Sequence, residues 1–318
     1  MRQGFVRTPW RSPPGLSVLA VMVILAACGG SADRAPAATA PPPPPAPAPQ
    51  TSPDSVVLFD QGHLNYHRID GSYAAFGRIL AAANWEVQVT SRFDLALLRR
   101  ARVLVIVSAL ASANYPNNWR LPTPSAFSPD EINTVRQWVE EGGGLLLITD
   151  HMPFAGAAAD LAAAFGARFS NGFAFDEKQL FFPKPCLNSS EVHLFSRTDG
   201  SLASHVVTTG VDLVATFTGS AFEFDGTPLM TFSATSVSLE PDRAWDFASA
   251  PRRPVAGWQQ GGVKVVGRGR VAVFGEAAMF SEQSCSAGEA MGMNHLLARH
   301  NAHLAQNIVD WLGGRIAP

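Results

Sequence analysis

The chain predicts an α/β fold organised on a mostly parallel, doubly wound sheet. Three observations carry that expectation. Short apolar runs alternate with stretches of helical spacing, which is the pattern of strand–helix–strand units. The run RVLVIVSAL at 102–110 is almost wholly apolar, as a strand covered on both faces must be. Cap and stop residues also stand where the helical stretches begin and end.

The elements follow in order. SVVLFD at 55–60 is a first strand, and 71–84 carries Tyr73, Phe76 and Leu80 at helical spacing. WEVQVT is a second strand, a short helix covers 94–100, and RVLVIVSAL is the third strand. The Asn-, Pro- and Ser-rich stretch 111–127 reads as a long loop. Ser128-Pro129-Asp130-Glu131 then opens a helix by a capping-box pattern with proline in the first turn. Its buried stripe is Ile132, Val135, Trp138 and Val139, and Gly142 to Gly144 stop it. LLLITD is the fourth strand, followed by a helix over 155–165. From about 172 to 258 the pattern loosens into short strand-like pieces (VVTTGVD, VATFTG, PLMTFSATSVSL, RPVAGWQ), which predicts a β-rich extension. GRGRVAVFGEAAMF restores the regular pattern as a strand ending in Glu276, and a last helix over 290–312 presents Leu297, Leu304, Ile308 and Trp311 on one face.

The first 54 residues stand outside this fold. Arg2, Arg7 and Arg11 precede the uncharged stretch LSVLAVMVILAA at 16–27, which is shorter than the roughly 20 residues of a membrane span. Leu25-Ala26-Ala27-Cys28 resembles a bacterial lipobox. The resemblance implies a signal peptide over 1–27, an acylated Cys28 as mature N-terminus and attachment to a lipid bilayer. Gly29, where inner-membrane lipoproteins usually carry Asp, points to the outer membrane, with the domain facing the periplasm. Residues 28–54 are mostly Ala and Pro, including PPPPPAPAP, and form an extended tether that buries no core. The α/β domain is expected over 55–318.

With 24 Lys and Arg against 26 Asp and Glu, the net charge is −2, and the arginines are scattered. No nucleic-acid partner is expected from such a surface. In an oxidising compartment Cys186 and Cys285 read first as a disulfide, with a metal pair or two free thiols as alternatives.

Three strands end on ionisable residues, and in open parallel sheets ligands sit beyond the carboxyl ends of the strands. The first strand ends in Asp60 and leads to His63, Asn65, His67 and Asp70. The fourth leads to Asp150 and His151, with Phe154 close behind. The late strand leads to Glu276, then Ser281 and Gln283. The set offers general acid–base chemistry through Asp150, His151 and Glu276. It equally offers a divalent metal site through His63, His67 or His151. A third use is a small polar ligand bound by Asp60, His63, Asn65 and His67, with Phe154, Tyr66 or Trp119 as an apolar platform. Each residue also has a structural reading: Asp60 as a cap for loop amides, Asp150 as a helix cap, each imidazole as a hydrogen-bonded core group. GxSxG and phosphate-binding glycine loops are absent from the sequence, and Ser108 and Ser112 are nucleophile candidates by position alone.

VVLFDQGHLNYHRIDGSYAAFGRIL, GGGLLLITDHMPFAGAAADLAAAFG, RVAVFGEAAMF and the terminal NIVDWLGG resemble the class I glutamine amidotransferase-like superfamily. More closely they resemble its non-amidotransferase branch, akin to the gliding-motility and intraflagellar-transport domain group and to trehalose-utilisation-like proteins. The resemblance implies a flavodoxin-like sheet. It also places Asp150 and His151 where amidotransferases keep a cysteine nucleophile, and Glu276 where they keep His-x-Glu. Without the thiol, amidotransferase activity is not expected, and related branches suggest carbohydrate binding. Three functions follow as expectations: an envelope protein binding a small polar ligand, a metal-assisted hydrolase, or a scaffold.

Overall fold

The Val-, Leu- and Ile-rich runs lie side by side in the computed structural model, which describes residues 52–179, 192–284 and 288–317. Cys28, Cys186, Cys285 and nearly all of the leader and tether fall outside those residues. In chain order the first half consists of β1 (Val56–Asp60), α1 (Ala74–Ala82), β2 (Glu86–Thr90), α2 (Leu95–Leu98), β3 (Val103–Val107), α3 (Pro129–Glu140), β4 (Gly144–Ile148), α4 (Phe154–Ala157) and α5 (Ala159–Ala163). Then come β5 (Ala167–Phe169), β6 (Phe173–Asp176), β7 (His193–Ser196), β8 (Leu213–Thr216), β9 (Phe222–Phe224), β10 (Thr227–Thr231), β11 (Ser236–Leu239) and β12 (Arg252–Pro254). The chain closes with β13 (Gln259–Val266), β14 (Gly269–Phe274), β15 (Glu282–Ser284), β16 (Ala290–Gly292) and α6 (Asn301–Leu312).

The main sheet runs β2-β1-β3-β4-β14-β13-β9-β5, with β10 also on β13. β2, β1, β3, β4 and β14 are mutually parallel, and the strands beyond β14 pair antiparallel. The fold is therefore α/β with a mixed sheet of mostly parallel strands. Small β-rich pieces are added: β12-β11-β6, β7-β8 and β15-β16.

Alternate residues of each parallel strand feed two separate cores, because strand side chains have a period of two. Val57, Phe59, Val105, Leu146 and Phe274 pack with Phe76, Leu304 and Ile308 from α1 and α6. Leu58, Leu104, Ile106, Leu147 and Val273 pack on the other face with Val135 and Trp138 of α3. Each such side chain contributes about 1.5–3 kcal/mol on burial. This explains why the sequence shows unbroken apolar runs instead of alternation.

Local signals are realised where they are strong. Ser128 Oγ accepts from the Glu131 N–H and the Glu131 carboxylate accepts from the Ser128 N–H, closing the expected capping box. Gly142, at φ 123°, turns the chain from α3 into β4.

Three expectations fail. The helix expected over 155–165 is two short pieces, because the Ala157 carbonyl accepts from the Ala126 N–H of a crossing loop. VVTTGVD is not a strand, since Val206–Thr208 form a 3-10 turn capped by the His205 ring. The last helix begins at Asn301, not at 290, because Ala290–Gly292 pair with β15 and Gly292 takes φ 102°. Asn301 is then clamped by the Ala215 and Met279 carbonyls, which accept from its Nδ2.

Candidate functional site

Adjacent parallel strands bring their following residues to one rim. β4 and β14 are neighbours, with Ile148 opposite Phe274, so Asp150 and Glu276 arrive together. β1 is separated from β4 by β3, and its end meets that rim only through the longer loop that carries His67.

The β1 end forms a self-contained network. Asp60 is fully buried, and its carboxylate accepts from His63 Nδ1 at 2.9 Å, Asn65 Nδ2 at 2.9 Å and the Gly62 N–H at 3.1 Å. His63 Nε2 donates to Glu131 Oε1 at 3.1 Å, and the ring lies between Phe93 and Phe127, 4.5 and 4.8 Å away by centroid. Asn65 Nδ2 also donates to the Val107 carbonyl at 3.0 Å. Burial alone would lower the His63 pKa, but the Asp60 hydrogen bond and charge, joined by those of Glu131, raise it above its ordinary value. Both nitrogens of His63 are thus held by carboxylates.

Beside it opens a cleft of about 260 Å³. Its polar floor is Asp150, His151, His67, Glu276, Thr218 and Gln283. Its apolar walls are Tyr66, Trp119, Phe154, Phe217, Trp245 and Met291. The aromatic walls brace one another: Trp119 lies 5.3 Å from Tyr66 and 5.2 Å from Phe154, and Trp245 lies 4.9 Å from the His151 ring. His151 in turn stacks on Phe173 at 4.4 Å.

The hydrogen-bond accounting of the floor is incomplete in an informative way. Asp150 Oδ1 accepts from the His151 N–H at 2.7 Å, while Oδ2 has no partner among the described residues. His151 Nδ1 donates to the Met152 carbonyl at 2.7 Å, which makes Nε2 an open acceptor in the neutral ring. His67 Nδ1 pairs with Ser72 Oγ at 2.7 Å, and its Nε2 is open. These three residues are only 8%, 7% and 4% exposed.

Burial lowers the His67 pKa to about 4, against a smaller raising effect of Asp150, so its ring is neutral near neutral pH. Glu276 is 1% exposed, and its carboxyl accepts from the Ala278 and Met279 N–H groups at 3.0 and 2.7 Å. Burial, then the nearby Asp150, push Glu276 well above the ordinary carboxylate range despite those amides. The pair therefore has one carboxyl holding its proton beside another, a pattern shared by acid–base sites and by sites for proton-donating ligands.

Of the residues singled out in the sequence, Asp150, His151, Glu276, His67, Phe154, Tyr66, Trp119 and Gln283 line the cleft. Asp60, His63 and Asn65 do not; they bind one another. Asp150 does not cap α4, whose N-cap is Pro153 with no side-chain bond. Asp70 pairs with Arg68 at the surface, Ser112 is exposed, and Ser108 Oγ is buried away from the cleft without a partner. Among the described residues no group of three His, Cys, Asp or Glu side chains is placed to hold a metal ion. Phe217, Thr218, Trp245 and Met291 went unseen in the sequence because they come from the irregular second half, whose proximity to β4 no local pattern announces.

No known family model matches the chain, and no curated protein matches it in sequence. Solved structures do match. The mmIFT52 N-terminal domain aligns at TM-score 0.56 and 13% identity, covering 81% of this chain and 97% of that one, and shares its fold. A ThuA-like protein from Bacteroides uniformis aligns at TM-score 0.44 and 12% identity over 84% of this chain and 95% of its own. A cytoplasmic protein from Salmonella typhimurium LT2 aligns at TM-score 0.44 and 12% identity, covering 81% and 98%. Fold and site together define an α/β domain with an acidic, aromatic-walled cleft at the carboxyl rim of its parallel strands.

Proposed function

We propose that this is a binding domain for a small polyhydroxylated ligand, a carbohydrate, held in the cleft between β4 and β14. One observation carries the reading: Asp150 Oδ2, His151 Nε2 and His67 Nε2 have no hydrogen-bond partner among the described residues, though the three residues are only 8%, 7% and 4% exposed, and all three line one cleft. Polar atoms left open along a cleft, on residues otherwise mostly buried, are where ligand groups bind. Sugar hydroxyls donate to such acceptors, and the ring's C–H faces lie against Trp119, Tyr66 or Trp245. The doubly wound, glutamine amidotransferase-like ancestry suggested by the sequence fits this place, with Asp150 standing where relatives keep a thiol. In the same reading acylated Cys28 anchors the chain in the outer membrane, residues 28–54 hold the domain off the bilayer, and Cys186 pairs with Cys285.

Tryptophan fluorescence titration with a panel of neutral mono- and disaccharides tests the proposal. Saturable quenching is expected, and Trp245→Ala should weaken it about tenfold or more while leaving the far-ultraviolet spectrum unchanged, since Trp245 is 46% exposed. Titrations that stay linear for every sugar would sink it.

A further inference from the structure

The cleft has a sharper chemical preference than a taste for hydroxyls. Its lining contains two carboxyl groups and no Lys or Arg among the described residues. The open atoms of its β4 edge are acceptors: a carboxylate oxygen of Asp150, and Nε2 of His151, whose Nδ1 hydrogen is committed to the Met152 carbonyl. The third open atom, Nε2 of His67, belongs to a ring that carries no positive charge near neutral pH. A phosphate or carboxylate brings negative charge, so it would meet two carboxyl groups and no counter-ion here. A hydroxyl donates once. A primary ammonium donates three times and brings the charge that Asp150 and Glu276 lack.

The walls agree with the floor. Tyr66, Trp119, Phe154 and Trp245 line the same space, and aromatic faces attract cations. Burial of the floor also strengthens a charge pair there relative to one in water.

Resting on the carbohydrate reading above, we infer that the ligand is an amino sugar, its ammonium group seated on Asp150 Oδ2 and His151 Nε2 within the aromatic walls and its hydroxyls directed to His67, Thr218 and Gln283. Glu276, behind Asp150, supplies a second carboxyl, held protonated first by burial and then by Asp150, and a ligand cation offsets the second of these. The site thereby selects against N-acetylated and phosphorylated forms of the same sugar.

Calorimetric titration of the purified full chain at about pH 6, where a sugar ammonium is protonated, separates the possibilities. The probes are D-glucosamine, D-glucose, N-acetyl-D-glucosamine and D-glucose 6-phosphate. Glucosamine should bind at least tenfold more tightly than glucose, about 1.4 kcal/mol. N-acetylglucosamine should fall back to the glucose level and the phosphate should bind worst. Raising the salt concentration should narrow the glucosamine-to-glucose ratio, and Asp150→Asn should bring it close to one whatever the absolute affinities. If Asp150→Asn does not fold, the salt series on the unaltered chain still decides the matter. Equal affinity for glucose, N-acetylglucosamine and glucosamine would overturn this inference and leave the carbohydrate reading intact. Binding of none of the four, nor of any neutral sugar in the fluorescence panel, would overturn both.

Discussion

Replacing Asp60 by Ala is expected to cost stability without touching ligand binding, which separates the β1 network from the cleft beside it. Asp60 is fully buried and accepts from three donors, His63 Nδ1, Asn65 Nδ2 and the Gly62 N–H. Asn65 keeps the Val107 carbonyl and the partly buried Gly62 amide can turn to water, so the loss falls mainly on His63. Its Nδ1 hydrogen would be enclosed between Phe93 and Phe127 with no acceptor. Removing one member of a buried charged pair costs about 3–5 kcal/mol, a large part of the roughly 5–15 kcal/mol total of an ordinary domain. Guanidinium unfolding followed by circular dichroism should show the midpoint falling with the slope unchanged. The penalty is pH-dependent. His63 has a folded pKa above its ordinary value, so its stabilisation is complete below about pH 6.5 and is lost as pH rises through the raised value. The Asp60→Ala deficit should accordingly be larger at pH 6 than at pH 9. A deficit under about 1 kcal/mol, with ligand binding abolished, would refute the reasoning and return Asp60 to the site.

Three further outcomes are expected. Glu276 holds a proton that it would release when unfolded, so its contribution is complete below about pH 4.5 and declines as pH rises towards its raised folded value; Glu276→Gln should flatten the loss of unfolding midpoint between about pH 5 and pH 8. Gly219 takes φ 103°, and a Cβ there would stand 2.3 Å from the Gly275 carbonyl oxygen and 2.9 Å from Glu276 Cβ. Gly219→Ala should therefore shift the Glu276 strand end and weaken ligand binding by more than the exposed Gly200→Ala, where nothing lies within 4 Å. Finally, Cys28→Ser should abolish palmitate labelling and move the protein from the membrane to the soluble fraction; unchanged fractionation would remove the lipid anchor from the proposal.

His63 and His67 show how far the sequence reaches. Four residues apart on one loop, they read alike as ligand candidates, and nothing local separates them. In the structure Leu64 takes φ 49°, the Leu110 N–H donates to the His63 carbonyl, and the Tyr66 N–H donates to the Ser108 carbonyl. That pinning turns His63 towards Glu131 of α3 and His67 towards Asp150. The Glu131 carboxylate was visible as a helix cap, but its second task of holding His63 depends on where α3 packs.

What the sequence determined by itself were the features set by neighbouring residues. These are the apolar strands β1, β3, β4 and β14, the capped start of α3, the glycine turn into β4, and the presence of acids and imidazoles just past the strand ends. Each rests on side-chain periodicity or on a hydrogen bond spanning a few residues. Only the tertiary structure decided which of those residues meet. The adjacency of β4 and β14 joins Asp150 to Glu276 across 126 positions, and the irregular strands deliver Trp245 and Phe217 to the same wall. It also cut the last helix short, because β15 and Asn301 found partners that no local pattern encodes. Such pairings are selected by shape and burial over the whole chain, so the same residues could be read as candidates from sequence but assembled into a cleft only by the fold.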